Sequence, residues 1–178
     1  MRFKEEKSIA FRKVNEEFGA LGNMSRMFPV ECNGEHFITS EHLYIALRFS
    51  GFTELQREIQ NHKNALWCKK TFVNDKYKEF HYSDWQNNCV EIMKCVLKLK
   101  YQQNTGFREL LEKTGDRYII EDVTFRRKGI FWGARLKDGY FEGYNTLGNI
   151  LMEIRDKKGE IEVKLPEDLT LFGKKIAL

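Results

Sequence analysis

GALGNMSRMFPVECNGEHFITSEHLYIALRF, residues 19–49, decides how this chain is read. It holds a polar loop, a short hairpin and a helix entry in close succession. Val30–Cys32 and residues 35–38 flank Asn33-Gly34, the pair that best tolerates the positive φ of a type I′ turn, so an antiparallel hairpin is expected. Thr39-Ser40-Glu41 then opens a helix, with Ser40 as the expected N-cap and Glu41 in the first turn. Leu43, Tyr44, Leu47 and Phe49 press that helix onto a core. Glu41 and His42 therefore fall at a strand-to-helix junction, where polar groups can line a pocket. Asn23, Ser25 and Arg26 of the preceding loop can face the same space.

Outward from this stretch, residues 1–8 read as a polar arm and residues 9–14 as a short strand. On the other side, FTELQREIQN and HKNALWCKK read as helical, and residues 74–82 as a charged, aromatic surface loop. Ser83-Asp84-Trp85 starts the longest helix, whose Cys89, Ile92, Met93, Val96, Leu97 and Leu99 cover a broad face, so it is expected to be central and much buried. Gly106 is expected to break it. FRELLEKTG follows as a shorter helix with Gly115 suited to a left-handed C-terminal cap. Residues 118–120 and 130–133 read as strands separated by the basic Arg126-Arg127-Lys128, and residues 145–155 as a last helix with Asn145 as its N-cap. IEVKL could add an edge strand, and the tail from residue 166 packs through Leu169, Leu171 and Phe172 or hangs loose. The fold class is α+β: one helix-rich domain with a small sheet, a polar arm at 1–8 and a C-terminal extension at 160–178.

A chain of 178 residues is most simply one domain with a sizeable core. Its 42% hydrophobic and 31% charged residues are those of an ordinary globular protein. A net charge of +4 suits a phosphorylated or nucleic-acid partner, but a solvated surface with a few extra lysines accounts for it equally well. Cys32, Cys68, Cys89 and Cys95 show no CxxC spacing and are expected as reduced thiols. His36, His42, His62 and His81 form no ligand-spaced cluster, so no metal site is expected. The N-terminus is too charged for a signal peptide and no apolar run could span a bilayer, which makes a cytoplasmic protein without membrane contact the expectation.

Several residues carry both a chemical and an ordinary reading. Glu41 is either a first-turn glutamate favoured by the positive helix end or a carboxylate poised for proton transfer in a dry pocket. Lys100, in LKLKYQQN, either snorkels past Leu97 and Leu99 or meets a carboxylate; buried, it would hold some neutral amine able to attack an anomeric carbon, or would pair with a phosphate. Tyr44, Trp85, Phe131 and Trp132 fill a core or stack on a base. Gly133, directly after Trp132, allows a ligand to approach the backbone. The helix start at Gly143-Tyr144-Asn145-Thr146-Leu147-Gly148 offers amides to a phosphate. Asp116 and Glu121 brace a site, or merely end a helix and begin a strand, and Asn104 follows Gln103 at the end of the long helix.

The order of these pieces resembles the NADAR family, whose name records a suspected link to NAD and ADP-ribose. The resemblance rests on Asn23-Met24 ahead of the hairpin and SEH helix, then the Asp84-Trp85 helix start, LKLKYQQN, LLEKTGDRYIIE, FWGA and GYNTLGNILMEIR, and it runs over residues 11–155. It implies hydrolysis of N-glycosidic bonds between a phosphorylated ribose and a nitrogenous base, with no metal or redox cofactor. It implies Glu41 and Lys100 as catalytic residues, and Asn23, Ser25, Arg26, Tyr44, Trp85, Asn104, Asp116, Glu121, Trp132, Gly133, Gly143, Asn145 and Gly148 around the substrate. One branch of the family splits a phosphoribosylamino-pyrimidine of the riboflavin pathway. The other removes ADP-ribose from guanine in DNA or RNA and counters an ADP-ribosyltransferase toxin encoded nearby. Ala134 after Trp132-Gly133, the long spacer before Gly143, the ALRF helix ending and Arg26 resemble the second branch. One departure stands out: many members carry an acid three positions before the tryptophan, where this chain has Gly129, with Asp122 or Asp138 as possible replacements. A module that binds ADP-ribose or a nucleotide without cutting it is the competing class.

Overall fold

Asn33 and Gly34 adopt φ values of 54° and 79°, closing the hairpin that this residue pair predicts. The computed structural model describes residues 1–126 and 129–177, so Arg127 and Lys128 of the basic excursion lie outside the described residues. Along the chain, strands β1 (Arg2–Lys4) and β2 (Ser8–Phe11) come first, and β3 (Val30–Cys32) and β4 (Glu35–Phe37) form the hairpin. Helices α1 (Ser40–Arg48), α2 (Thr53–Asn61), α3 (Ala65–Phe72), α4 (Trp85–Gln103) and α5 (Thr105–Glu112) follow. Strands β5 (Tyr118–Glu121), β6 (Arg135–Lys137) and β7 (Tyr140–Glu142), helix α6 (Thr146–Asp156), and strands β8 (Thr170–Leu171) and β9 (Lys174–Lys175) complete it. The class is α+β, with helices dominating several small, separate sheets. No helix among the described residues is long and apolar enough to cross a membrane.

The chain divides into two compact units, Met1–Ser25 with Asn104–Ile161, and Arg26–Gln103 with Glu162–Leu178. In the first unit β1, β7 and β6 form an antiparallel sheet, with Phe3 opposite Phe141 and Leu136 opposite Phe141 in register. Phe3, Ile120, Ala134 and Phe141 build a small core there, with Leu136 packed against it. β2 and β5 pair in parallel, Ile9 against Ile119 and Ala10 against Ile120. A parallel pair needs a long crossover, and here the connecting chain carries residues 26–103.

In the second unit α1 is enclosed on every side: all residues from Ser40 to Leu47 are buried. It packs against α2, α3 and α4 as well as the hairpin. Its cap is Thr39, in extended conformation, whose hydroxyl accepts the His42 N–H at 3.3 Å. The expected cap, Ser40, is already helical, and a helical residue cannot turn its side chain back onto the first-turn amides. The C-terminal tail packs onto this unit. Gln56, fully buried, donates to the carbonyls of Ala46 and Thr170 and accepts from Phe172 N at 2.7 Å, while Leu169 and Leu171 are buried.

Local geometry differs from expectation elsewhere. α4 ends at Gln103 and α5 begins at Thr105, so the break falls at Asn104 and Gly106 lies inside α5. Residues 75–80 form a 3-10 helix rather than a loop. Residues 130–133 form turns instead of a strand, because the carbonyls of Ile130, Phe131 and Trp132 accept from Tyr144, Thr146 and Leu147 rather than from a neighbouring strand. IEVKL makes no strand pairing. The first expected strand, over 9–14, is realised as Ser8–Phe11.

Candidate functional site

Within the second unit, Glu41 sits in the first turn of α1 and is 4% exposed. Its Oε1 lies 2.8 Å from Nζ of Lys69 on α3, a half-exposed lysine that no sequence spacing singled out. An ion pair with one end buried holds the carboxylate in a single orientation. His42, next in the chain, has Nδ1 at 2.7 Å from the Thr39 hydroxyl, and its buried Nε2 has no hydrogen-bond partner among the described residues. Burial lowers the His42 pKa and the Arg26 charge adds to this; the Glu41 charge and the nearby His62 backbone oppose it, although that backbone does not reach hydrogen-bond geometry. Arg26 itself is exposed.

Tyr44, one turn further along α1, stacks obliquely on Trp85 at 4.9 Å between ring centroids and donates its hydroxyl to the Cys89 carbonyl at 3.3 Å. Burial raises its phenol well above the ordinary range. Trp85 is 5% exposed, so its ring is packed rather than presented, with the Arg48 guanidinium 5.1 Å over its face. Arg48 borders a depression of about 320 Å³ together with Asn74, Lys78, His81, Tyr82 and Trp85. Its buried Nε has no hydrogen-bond partner among the described residues. Arg48 enters the sequence reading only as part of the ALRF helix ending, and Lys69 stands in no motif.

Lys100, three residues from the end of α4, has no exposed surface. Snorkelling, the commoner fate of such a lysine, does not occur. Its ammonium lies 5.8 Å from the centroid of the Phe28 ring, and burial brings its pKa down from 10.5 to about 7. A large neutral fraction at neutral pH is the chemical consequence.

In the first unit, Asn145 is fully buried with φ 51°, and its side chain does not cap α6. It donates instead to the Ile119 carbonyl at 2.8 Å and accepts from Glu121 N–H at 3.1 Å, clamping β5 to the helix start. Thr146 and Leu147 N–H already donate to the carbonyls of Phe131 and Trp132. The expected use of these amides by a phosphate therefore does not hold for that pair. The glycines have packing reasons: a Cβ on Gly133 would strike the Glu121 carbonyl, one on Gly143 the Gly133 carbonyl, and one on Gly148 the Ile119 carbonyl and the Asn145 amide. Backbone, rather than ligand, makes the close approach that the Trp132-Gly133 pair suggested. Trp132 is half-buried with Phe131 edge-on at 5.1 Å. Glu121 pairs with Arg126 at 3.0 Å, Asp116 is exposed, and Asn23 and Ser25 are buried. Asn104 takes the N-cap position of α5 without a capping bond from its side chain. Of the acids expected to replace the one absent at Gly129, Asp122 accepts from the Thr124 amide at 2.8 Å and faces Arg12 at 3.8 Å, while Asp138 occupies a turn at φ 49°.

The expected residues thus fall into two sets, Glu41, Tyr44, Trp85, Lys100 and Arg26 in one unit and the remainder in the other. Comparison with known proteins follows the same span. Residues 10–157 match the model of the NADAR domain. The chain is 30% identical over 169 residues to riboflavin biosynthesis protein VVA0006 of Vibrio vulnificus strain YJ016, covering 94% of this chain but 42% of that protein. It is 26% identical to N-glycosidase YbiA of Escherichia coli K12, over 84% of this chain and 87% of the relative. It is 24% identical to N-glycosidase R617 of Acanthamoeba polyphaga mimivirus, over 85% and 96%. The NMR structure of E. coli YbiA superposes with a TM-score of 0.71 at 23% identity, over 85% of each chain, and so shares the fold. With a family match across most of its length and a relative of this identity, the chain belongs to the NADAR domain family.

Proposed function

We propose that this protein is an N-glycosidase, a hydrolase of N-glycosidic bonds, and that its substrate is ADP-ribose joined to guanine in nucleic acid. The observation that carries the reading is Lys100, wholly buried with its pKa lowered to about 7, in the same unit as the buried Glu41. A neutral amine at that position is a nucleophile at neutral pH. It adds to C1 of the ribose as the C1–N bond to guanine breaks, and the bonding pair leaves with the base. The Glu41 carboxylate, held by Lys69, takes the proton that the attacking amine releases and returns it to the departing nitrogen. The glycosyl-lysine opens to an imine, and water hydrolyses it to free ADP-ribose and the regenerated amine. The relatives named N-glycosidases support the reaction class, and the sequence around Trp132 and Gly143 supports the guanine substrate.

A second reading has its own support in the Vibrio relative, which is named for riboflavin biosynthesis. There the bond cut would join phosphoribose to an aminopyrimidine, the same C1–N chemistry with a smaller leaving group. Incubating the protein with an oligonucleotide bearing ADP-ribosylated guanine, and separately with a phosphoribosylamino-pyrimidine, decides between them by mass spectrometry of the products. Release of ADP-ribose is expected from the first. Cleavage of the second alone assigns the other branch. Retention of ADP-ribose without turnover of either makes the protein a binding module, the reading that Gly129 favours.

A further inference from the structure

Three helices of the second unit bring together side chains that lie far apart in sequence. His42 on α1, His62 at the end of α2 and Cys68 on α3 each offer one ligand atom, and these atoms all lie within 4.8 Å of one another. His42 and Cys68 have no exposed surface, whereas His62 is half-buried and lines an open depression of about 650 Å³ with Arg57, Glu58, Asn61 and Phe72. One wall of the cluster is therefore reachable from solvent. The orphan nitrogen is the second observation: with Nδ1 held by Thr39, His42 keeps Nε2 buried and without a hydrogen-bond partner among the described residues. A buried polar atom left so costs about 1–3 kcal/mol and calls for an occupant. In the tautomer that donates Nδ1–H to the Thr39 hydroxyl, Nε2 carries the lone pair, and a histidine whose second ring N–H is so held is oriented for a metal.

We propose that His42, His62 and Cys68 bind one zinc ion, with water in the fourth position. Two imidazoles and a thiolate are a donor set that zinc takes in tetrahedral geometry, at roughly 2.0–2.3 Å from the metal. Ligand atoms at those distances stand roughly 3–4 Å apart, so the helices need contract little from 4.8 Å. Binding displaces the Cys68 thiol proton to solvent, and the two histidines enter neutral. His62 Nδ1 now accepts from Asn64 N–H at 3.2 Å. Coordination through the opposite nitrogen protonates Nδ1 and gives up that bond, which water replaces at the half-exposed edge. The Glu41 charge favours the cation and Arg26 opposes it.

The site is placed to matter for catalysis. His42 follows Glu41 and Cys68 precedes Lys69, so two of the ligands are chain neighbours of the ion pair that holds the carboxylate. Zinc would tie α1 to α3 behind that pair and fix its geometry. This last role rests on the function proposed for Glu41; metal binding itself does not.

Titration of the metal-free full chain with cobalt(II) and zinc(II) tests the proposal without any substrate. One equivalent of cobalt should bind and give the thiolate-to-metal charge-transfer band together with the visible bands of a tetrahedral site. Zinc should displace it and raise the melting temperature. His62→Ala, a change at a half-buried helix end, should weaken binding at least tenfold and abolish the zinc-induced shift. Cys68→Ser should remove the charge-transfer band, while Cys32→Ser leaves it intact. A wild-type chain that binds neither metal at one equivalent overturns the proposal, as does binding that survives His62→Ala with the band unchanged. Should metal bind as expected while ADP-ribosylated DNA remains uncut, the site stands and the proposed function falls.

Discussion

Glu41 and Lys100 are both groups that water would normally claim, and each is buried. Glu41 is held by Lys69 at 2.8 Å, so Glu41→Gln removes the proposed proton carrier while keeping the shape. Turnover should fall by about a hundredfold or more, with the melting temperature little altered because the half-exposed Lys69 can turn to solvent; near-normal turnover would end the catalytic assignment. For Lys100 the sign is set by a pKa lowered from 10.5 to about 7. Between those values the unfolded chain binds the proton and the folded one does not, so this residue's contribution to stability rises with pH across that window. The penalty for burying a charge is present in full below about 7. Activity should likewise climb through about pH 7 and level off as the amine becomes neutral. Borohydride added during turnover should trap one reduced ADP-ribose on Lys100, and Lys100→Arg should give neither adduct nor activity, since a guanidinium stays protonated. An arginine variant that keeps most of its activity, with nothing trapped, reduces the lysine to a charge.

Among the elements, the start of α6 shows how a position expected to cap a helix does something else. Asn145 sits in the left-handed region and joins β5 through one buried and one half-buried hydrogen bond. Asn145→Ala leaves both backbone partners unsatisfied, at about 1–3 kcal/mol each. It also replaces an asparagine, which tolerates left-handed backbone, by an alanine, for which that conformation costs a further ~1 kcal/mol. Asn145→Gly loses the same bonds without that strain. Chemical denaturation should therefore rank wild type above glycine and glycine above alanine. Equal midpoints for the two variants would show that the backbone conformation contributes nothing.

Across the whole molecule, the family match ends at residue 157, yet the tail beyond it belongs to the packing of the second unit. Leu171 is fully buried, and the carbonyl and amide groups flanking it occupy both ends of the buried Gln56 amide. Leu171→Ala should cost about 2–5 kcal/mol, read as a lower urea midpoint for the transition that unfolds α1 and α2. A midpoint equal to wild type would mean that the tail rests on the unit without stabilising it.

What the sequence determined by itself was what nearest neighbours control. Asn33-Gly34 can hardly do other than turn, Thr39 through Arg48 carry a helix entry and an apolar face, and the long periodicity of α4 reads directly as a buried helix. Ordered motifs singled out Glu41 and Lys100 as candidates as well, through the family resemblance rather than through any rule of local geometry. The remainder was decided by packing between segments far apart in the chain. A one-residue shift of the cap from Ser40 to Thr39 depends on which residue is extended when the helix docks. Residues 130–133 become turns because their carbonyls serve α6, and the glycines near them are small to admit backbone. Lys69 reaches Glu41, and His62 and Cys68 reach His42, only once α1, α2 and α3 are stacked. No spacing in a linear chain encodes such meetings, since the distance between two side chains on different helices is set by the shared core that brings the helices together.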